Sequence, residues 1–287
     1  MSTQPAPFRE IAILGPGLLG ASLALALAES SSIRLWGRRP ESIAEVRNFA
    51  PVCTIDLAEA VKGADLVIFC TPIEVMGGIA RQIVPFLGEE TLVTDVGSVK
   101  AGIVMELESI CGPKRFLGSH PMAGSEQSGS AAARADLFIG AACIVTPTEK
   151  TPTANVEHIA QFWKNLECEV HCLSPETHDR QIAQISHLPH LLAGCLVNAV
   201  ADPAAFQLAG QGFRDSTRIA SGPPDMWRGI LQSNRTQLLA ALAALQSQIG
   251  LAEQLLQADD AAGLRNFLAA AKTKRDGITR KVRYGGN

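Results

Sequence analysis

At 287 residues the chain is too long for one average domain and comfortable for two. Its 47% hydrophobic and 18% charged residues, with a formal net charge of -3, exclude a disordered chain and offer no basic surface for gripping nucleic acid. The seven cysteines (Cys53, Cys70, Cys111, Cys143, Cys168, Cys172 and Cys195) are odd in number and carry no C-x-x-C pair, which argues against a disulfide scaffold and a zinc ribbon and predicts no metal site.

The N-terminal MSTQPAPFRE lacks a basic start followed by an apolar core, and no later stretch reaches ~18 uninterrupted apolar residues. A cytoplasmic protein with free thiols, neither secreted nor membrane-spanning, is expected. From about Glu10 to Cys172 short β-branched runs alternate with amphipathic stretches, the pattern of βα units feeding a largely parallel sheet. The predicted strands are IAIL at 11–14, IRLW at 33–36, LVIFC at 66–70, TLVTD at 91–95 and ACIVT at 142–146.

The first strand runs straight into Gly15-Pro16-Gly17-Leu18-Leu19-Gly20, and the helix ASLALALAES follows. A G-x-G-x-x-G between strand and helix is the dinucleotide fingerprint: one glycine for the turn, one for close approach of a pyrophosphate, one for helix-strand packing. The second strand ends in Trp36-Gly37-Arg38-Arg39, where a carboxylate for a ribose 2′-hydroxyl would usually stand. Two arginines suit a 2′-phosphate instead, so NADP is the preferred expectation and NAD remains open; a solvated loop pair is the plain alternative. Cys70-Thr71-Pro72 closes the LVIFC strand, and Asp95 with the Val96-Gly97-Ser98-Val99-Lys100 turn closes TLVTD. Carboxyl ends of parallel strands line the ligand crevice, so both segments are expected to face cofactor or substrate.

Downstream, Gly118-Ser119-His120-Pro121-Met122-Ala123-Gly124-Ser125-Glu126-Gln127-Ser128-Gly129 reads as a polar, glycine-rich loop whose histidine is an acid-base candidate. After Cys172 the pattern changes to helices alone, with Ser174 and Pro175 as N-cap and first helical position. A dinucleotide-binding (Rossmann-type) α/β domain over 1–172 and an all-helical domain over 173–287 follow. His187 and His190 share a helix face, with Pro189 between them to kink it. The Ala-, Leu- and Gln-rich run from Trp227 through Leu256 predicts a long helix needing partners, hence a homodimer through the helical half.

Taken in order, GPGLLGAS, DVGSVK, SHPMAGSEQSG, SHLPH and GFRDSTRIA make the chain resemble the prephenate and arogenate (cyclohexadienyl) dehydrogenase family over nearly its whole length. The resemblance implies oxidative decarboxylation of a cyclohexadiene acid on the branch leading to tyrosine. It assigns His120 as acceptor of the ring-hydroxyl proton, and Ser98 as a hydrogen-bond partner of that histidine and hydroxyl, although capping of the following helix would explain Ser98 as well. His187, His190 and Arg218 become substrate ligands, Arg218 for a carboxylate, with Asp215 one turn earlier to hold it; Ser125 and Glu126 fall beside the substrate side chain. Two satisfied core histidines are the plain alternative for His187 and His190; Trp227 and Asn234 fit the same pattern, with core packing and helix-helix bonding explaining them equally well.

Prephenate and arogenate differ by a keto group against an ammonium; Glu126 either meets the ammonium, which would favour arogenate, or caps the next helix. The string HPMAGSE resembles bacterial prephenate or dual-specificity enzymes, which puts prephenate first and arogenate second. Two other classes compete. β-Hydroxyacid-type dehydrogenases place a lysine in the helical half, and none lies between Pro175 and Asp202. A non-catalytic NADP sensor would not need His120, Ser98 and Arg218 together.

Overall fold

A computed structural model describes residues 8–123 and 129–278. Five strands, β1 (Glu10–Leu14), β2 (Ser32–Trp36), β3 (Val52–Thr54), β4 (Leu66–Phe69) and β5 (Leu92–Asp95), form a parallel sheet in the order β3-β2-β1-β4-β5. The order reverses on either side of β1, and the crevice of such a sheet opens at the carboxyl ends of its strands. Three more strands, β6 (Gly118–Pro121), β7 (Ala142–Thr146) and β8 (Glu169–Cys172), make a second sheet with β7 antiparallel to β6 and parallel to β8. A parallel bridge from Val93 to Phe116, held by main-chain bonds of 2.8 and 2.9 Å, ties the approach to β6 onto β5. The carboxyl end of β6 therefore lies at the same edge as those of β1, β4 and β5.

The central strands β1, β2, β4 and β5 are mostly apolar because both faces of their sheet are covered. Ile11, Ile13, Ile33, Leu35, Leu66 and Ile68 point to one face, against α1 (Leu18–Leu27) and α6 (Thr153–Asn165), whose Ile159, Phe162 and Trp163 are buried. Ala12, Leu14, Trp36, Val67, Phe69 and Val93 point to the other, against α3 (Leu57–Val61), α4 (Ile73–Ile83) and α5 (Ala101–Cys111). The short helix α2 (Pro40–Ala44) follows β2.

From Pro175 onward the described residues form helices without strands: α7 (Pro175–Ile182), a π-helical segment at 183–187, α8 (Leu188–Asn198), α9 (Gln211–Thr217), α10 (Pro224–Ser233), α11 (Arg235–Gln257) and α12 (Ala261–Asp276). Ser174 caps α7 by accepting from Thr177 N.

Three expectations need correcting. The segment carrying His120 is a buried strand, β6, rather than a loop, because Gly118–Pro121 pair in register with Cys143–Thr146. The helix does not run as one α-helix through Pro189: a π-helical turn at 183–187 precedes it, loosening the ladder where proline cannot donate. The run from Trp227 to Leu256 is two helices broken at Asn234, whose backbone leaves the helical region (φ -105°, ψ 25°).

Candidate active site

The glycine loop forms by main-chain constraint. Gly15 sits at φ 124°, and a Cβ there would stand 2.6 Å from the Cys70 carbonyl oxygen; a Cβ on Gly20 would stand 1.9 Å from the Gly15 oxygen. Gly17, the N-cap of α1, has open space where a Cβ would go, and no side chain caps the helix. The first-turn amides, those of Leu18 and Leu19 among them, are thus left for an anion over the helix N-terminus. Arg38 and Arg39 are exposed at the carboxyl end of β2, beside that loop, since Gly15 N donates to Trp36 O at 2.9 Å. Thr71, just past β4, has a buried hydroxyl without a hydrogen-bond partner among the described residues, and Pro72 is the N-cap position of α4. These residues fit a dinucleotide: a cradle of open main chain, an uncapped helix start and a polar atom lacking a bond.

Asp95, expected to face the cofactor, is turned inward. It is fully buried, ion-paired with an equally buried Lys100, and accepts from Gly97 N (2.8 Å) and Ser119 N (3.2 Å). Lys100 also donates to the Ser119 carbonyl at 3.0 Å. The pair braces the 96–100 turn against β6, so its contribution to the crevice is shape.

His120 is buried on β6, and its Nδ1 lies 2.8 Å from Nε2 of His178 on α7. His178 Nδ1 in turn lies 2.8 Å from Asp179 Oδ1. Asp179 accepts from Lys100 N (2.7 Å) and Ala101 N (2.8 Å), capping α5 from the helical half of the chain. Burial, reinforced by His178, Lys100 and His187 nearby, holds the His120 pKa well below 6.5, so the imidazole is neutral and can accept a proton at physiological pH. Among the described residues no hydrogen bond reaches its Nε2.

Ser98 is half-buried in the turn after β5 and makes no hydrogen bond to a described residue. Lys100, rather than Ser98, is the N-cap position of α5. His187 is buried, with Nδ1 3.1 Å from Asn234 Nδ2, which also donates to Asp179 O at 2.8 Å. Burial pushes the His187 pKa down to about 4. His190 stacks on Trp227 with ring centroids 3.5 Å apart. Among the described residues, His187 Nε2 and His190 Nδ1 are buried without partners, polar atoms that a substrate oxygen could serve. Arg218 is exposed in the 3-10 turn after α9, and Asp215 accepts from Gln211 (2.7 Å) within α9 rather than holding Arg218. Ser125 and Glu126 lie outside the described residues.

The sequence reading passed over His178 and Asp179. The signal was there: Pro175, His178, Asp179 and Ile182 share the buried stripe of α7, so a polar pair occupies a core-facing stripe. Among the described residues no cluster of three or more His, Cys, Asp or Glu could hold a metal ion, and no helix is long and apolar enough to cross a membrane.

A dinucleotide cradle and a neutral imidazole at one sheet edge, closed by a helical unit, define a nicotinamide-dependent oxidoreductase. Residues 24–172 match the prephenate dehydrogenase nucleotide-binding domain and 174–270 the prephenate dehydrogenase dimerization domain. The cyclohexadienyl dehydrogenase of Zymomonas mobilis is 34% identical over 247 residues, covering 82% of this chain and 84% of that protein. The crystal structure of Aquifex aeolicus prephenate dehydrogenase with hydroxyphenyl propionate and NAD+ superposes with a TM-score of 0.89 at 32% identity, covering 94% and 98% of the two chains. Synechocystis arogenate dehydrogenase gives 0.82 at 27%, covering 94% and 99%. The chain belongs to the prephenate dehydrogenase family.

Proposed function

We propose that the protein oxidatively decarboxylates prephenate to 4-hydroxyphenylpyruvate in tyrosine biosynthesis, and that NADP is the preferred hydride acceptor. The observation that carries the reading is the buried, neutral His120 at the sheet edge of a chain of this family. Gly15, Gly17, Leu18, Leu19 and Gly20 would hold the pyrophosphate, Cys70, Thr71 and Pro72 the nicotinamide side, and Arg38 and Arg39 a 2′-phosphate. When bound, the nicotinamide supplies the hydride acceptor.

His120 Nε2 takes the ring-hydroxyl proton as the hydroxyl carbon loses hydride. The ring carboxylate leaves as carbon dioxide, its bonding electrons aromatise the ring, and the proton returns to the phenolic oxygen. Aromatisation drives the reaction, so the chain's tasks are orientation, a neutral base and exclusion of water. Arg218 meets a substrate carboxylate, His187 and His190 accept or donate at its polar atoms, and Ser98 orients the hydroxyl beside His120. Residues 1–172 thus carry cofactor and base, and 173–287 carry substrate ligands and the dimer contact.

Arogenate is the second reading, favoured by the likeness to the Synechocystis enzyme, with Ser125 and Glu126 beside the side chain that differs. A homodimer is supported by exposed Leu239, Ile249, Leu251 and Leu256 on α11 and Leu268 on α12. A cytoplasmic location suits seven free cysteines. Initial rates of NADPH and NADH formation with prephenate and arogenate, each repeated with His120→Asn, test the assignment. The expected result is reduction of NADP by prephenate and a loss of roughly 100-fold or more in the variant; no reduced cofactor with either substrate overturns it.

A further inference from the structure

We propose that His178 and Asp179, carried by the helical half, set the tautomer of His120 on β6, so that the base presents its lone pair at Nε2 only when α7 is seated on the nucleotide domain. The inference rests on the reading of His120 as proton acceptor, and it adds residues that no sequence motif marked.

Both Asp179 oxygens already accept main-chain N–H groups, Oδ1 from Lys100 and Oδ2 from Ala101. A carboxylate offers no donor, so the 2.8 Å contact to His178 Nδ1 is a bond that His178 donates. A neutral imidazole with its proton on Nδ1 has only a lone pair on Nε2. The 2.8 Å contact to His120 Nδ1 is therefore donated by His120, which leaves His120 Nε2 bare. The opposite protonation pattern, with an N–H at His120 Nε2, would need a charged His178. Burial disfavours that, since it lowers the His178 pKa even against the opposing pull of Asp179.

The charged and titratable groups around the pair come from every packed element. Asp95 on β5 and Lys100 before α5 form a buried ion pair, Cys143 lies on β7, Asp179 on α7 and His187 in the π-helical turn. None of the others bonds either ring nitrogen of His178; among the described residues its Nδ1 meets Asp179 and its Nε2 meets His120, so the carboxylate is what fixes its tautomer. His178 never needs to reach the substrate; it is a positioning residue, with a cost on removal of roughly 10- to 100-fold by analogy with groups that orient metal-binding histidines.

Two conservative variants separate its two bonds. His178→Asn keeps an amide near Nδ1, toward Asp179, and loses the acceptor facing His120. His178→Gln keeps an acceptor near Nε2. The expectation is that kcat falls roughly 10- to 100-fold in His178→Asn with KM for prephenate within about threefold, and that His178→Gln recovers most of the loss. The independent readout is 15N NMR of protein labelled at histidine, with His120→Asn used to assign the resonance. In the unaltered protein His120 must show a protonated Nδ1 and a bare Nε2 near pH 7, and His178→Asn must shift it toward the Nε2–H form. A protonated Nε2 in the unaltered protein overturns the inference even if neither variant folds, as does wild-type kcat in a folded His178→Asn. A correct tautomer in a protein that oxidises neither prephenate nor arogenate would instead overturn the reading of function and leave this one standing.

Discussion

At the dinucleotide end of the crevice, six consecutive residues from Gly15 to Gly20 do the work with main chain, and their side chains matter chiefly by being absent. At the proton-accepting end the parts are side chains drawn from β5, β6, α7 and the break before α11: Asp95, His120, His178, Asp179 and Asn234, with partners 58 and 79 residues apart. The first end depends on local geometry and the second on how two halves of the chain dock. Insults should therefore separate the two, with steric change felt at the first and protonation at the second.

The largest effect is expected from Gly20→Ala. A Cβ 1.9 Å from the Gly15 oxygen meets backbone rather than a movable side chain, so α1 must move off β1. A loss of about 3 kcal/mol or more in unfolding free energy is expected from urea denaturation. Unchanged stability would mean the loop is softer than its contacts imply.

Acid should act at the other end. The His187 pKa is lowered to about 4 by burial, while the unfolded chain titrates near 6.5, so below 6.5 the unfolded state binds more protons. Stability is full above about pH 6.5 and is lost as pH falls toward 4, by about 3 kcal/mol at pH 4 from His187 alone. His120 and His178, also lowered, act in the same direction. Urea midpoints measured from pH 7.5 to 5 should fall, and His187→Gln should flatten the slope. A flat profile in the unaltered protein would show that these rings are more hydrated than the structure has them.

Cofactor choice gives a smaller effect. Replacing Arg38 and Arg39 by alanine removes two charge-assisted donors from the edge of β2, and kcat/KM for NADP should fall roughly 10- to 100-fold while that for NAD stays within about threefold. Equal losses for both cofactors would assign the arginines to the pyrophosphate or to the fold.

The contrast also explains what could be read from the sequence. The glycine loop is contiguous, and strands β1, β2, β4, β5 and β7 announce themselves as apolar runs because both faces of the sheet are buried. Strand β6 was missed because Gly-Ser-His-Pro carries turn-forming residues; what makes it a strand is pairing with β7, which lies more than twenty residues away. His120 was found by its motif, yet the motif says nothing of its environment. His178 and Asp179 carry no motif at all, and Asp95 looked like a ligand residue because it closes a parallel strand at its carboxyl end, whereas its buried ion pair with Lys100 makes it a brace. Polar residues in a core owe their roles to distant partners, and spacing along the chain does not encode them.

The smallest effect, at Gly17, separates packing from ligand within the glycine loop. Unlike Gly15 and Gly20, Gly17 has nothing within 4 Å of an added Cβ, and its φ of -75° suits any residue. Gly17→Ala should therefore leave the unfolding free energy within about 1 kcal/mol, the small N-cap penalty being partly offset by a less flexible unfolded chain. The space it fills is the space above the first turn of α1, where a pyrophosphate would lie, so KM for the dinucleotide should rise several-fold with kcat little changed. An unaffected KM alongside normal stability would move the pyrophosphate away from Gly17 and toward the amides of Leu18 and Leu19. A protein destabilised by the added methyl would mean that the gap closes in solution before any cofactor arrives.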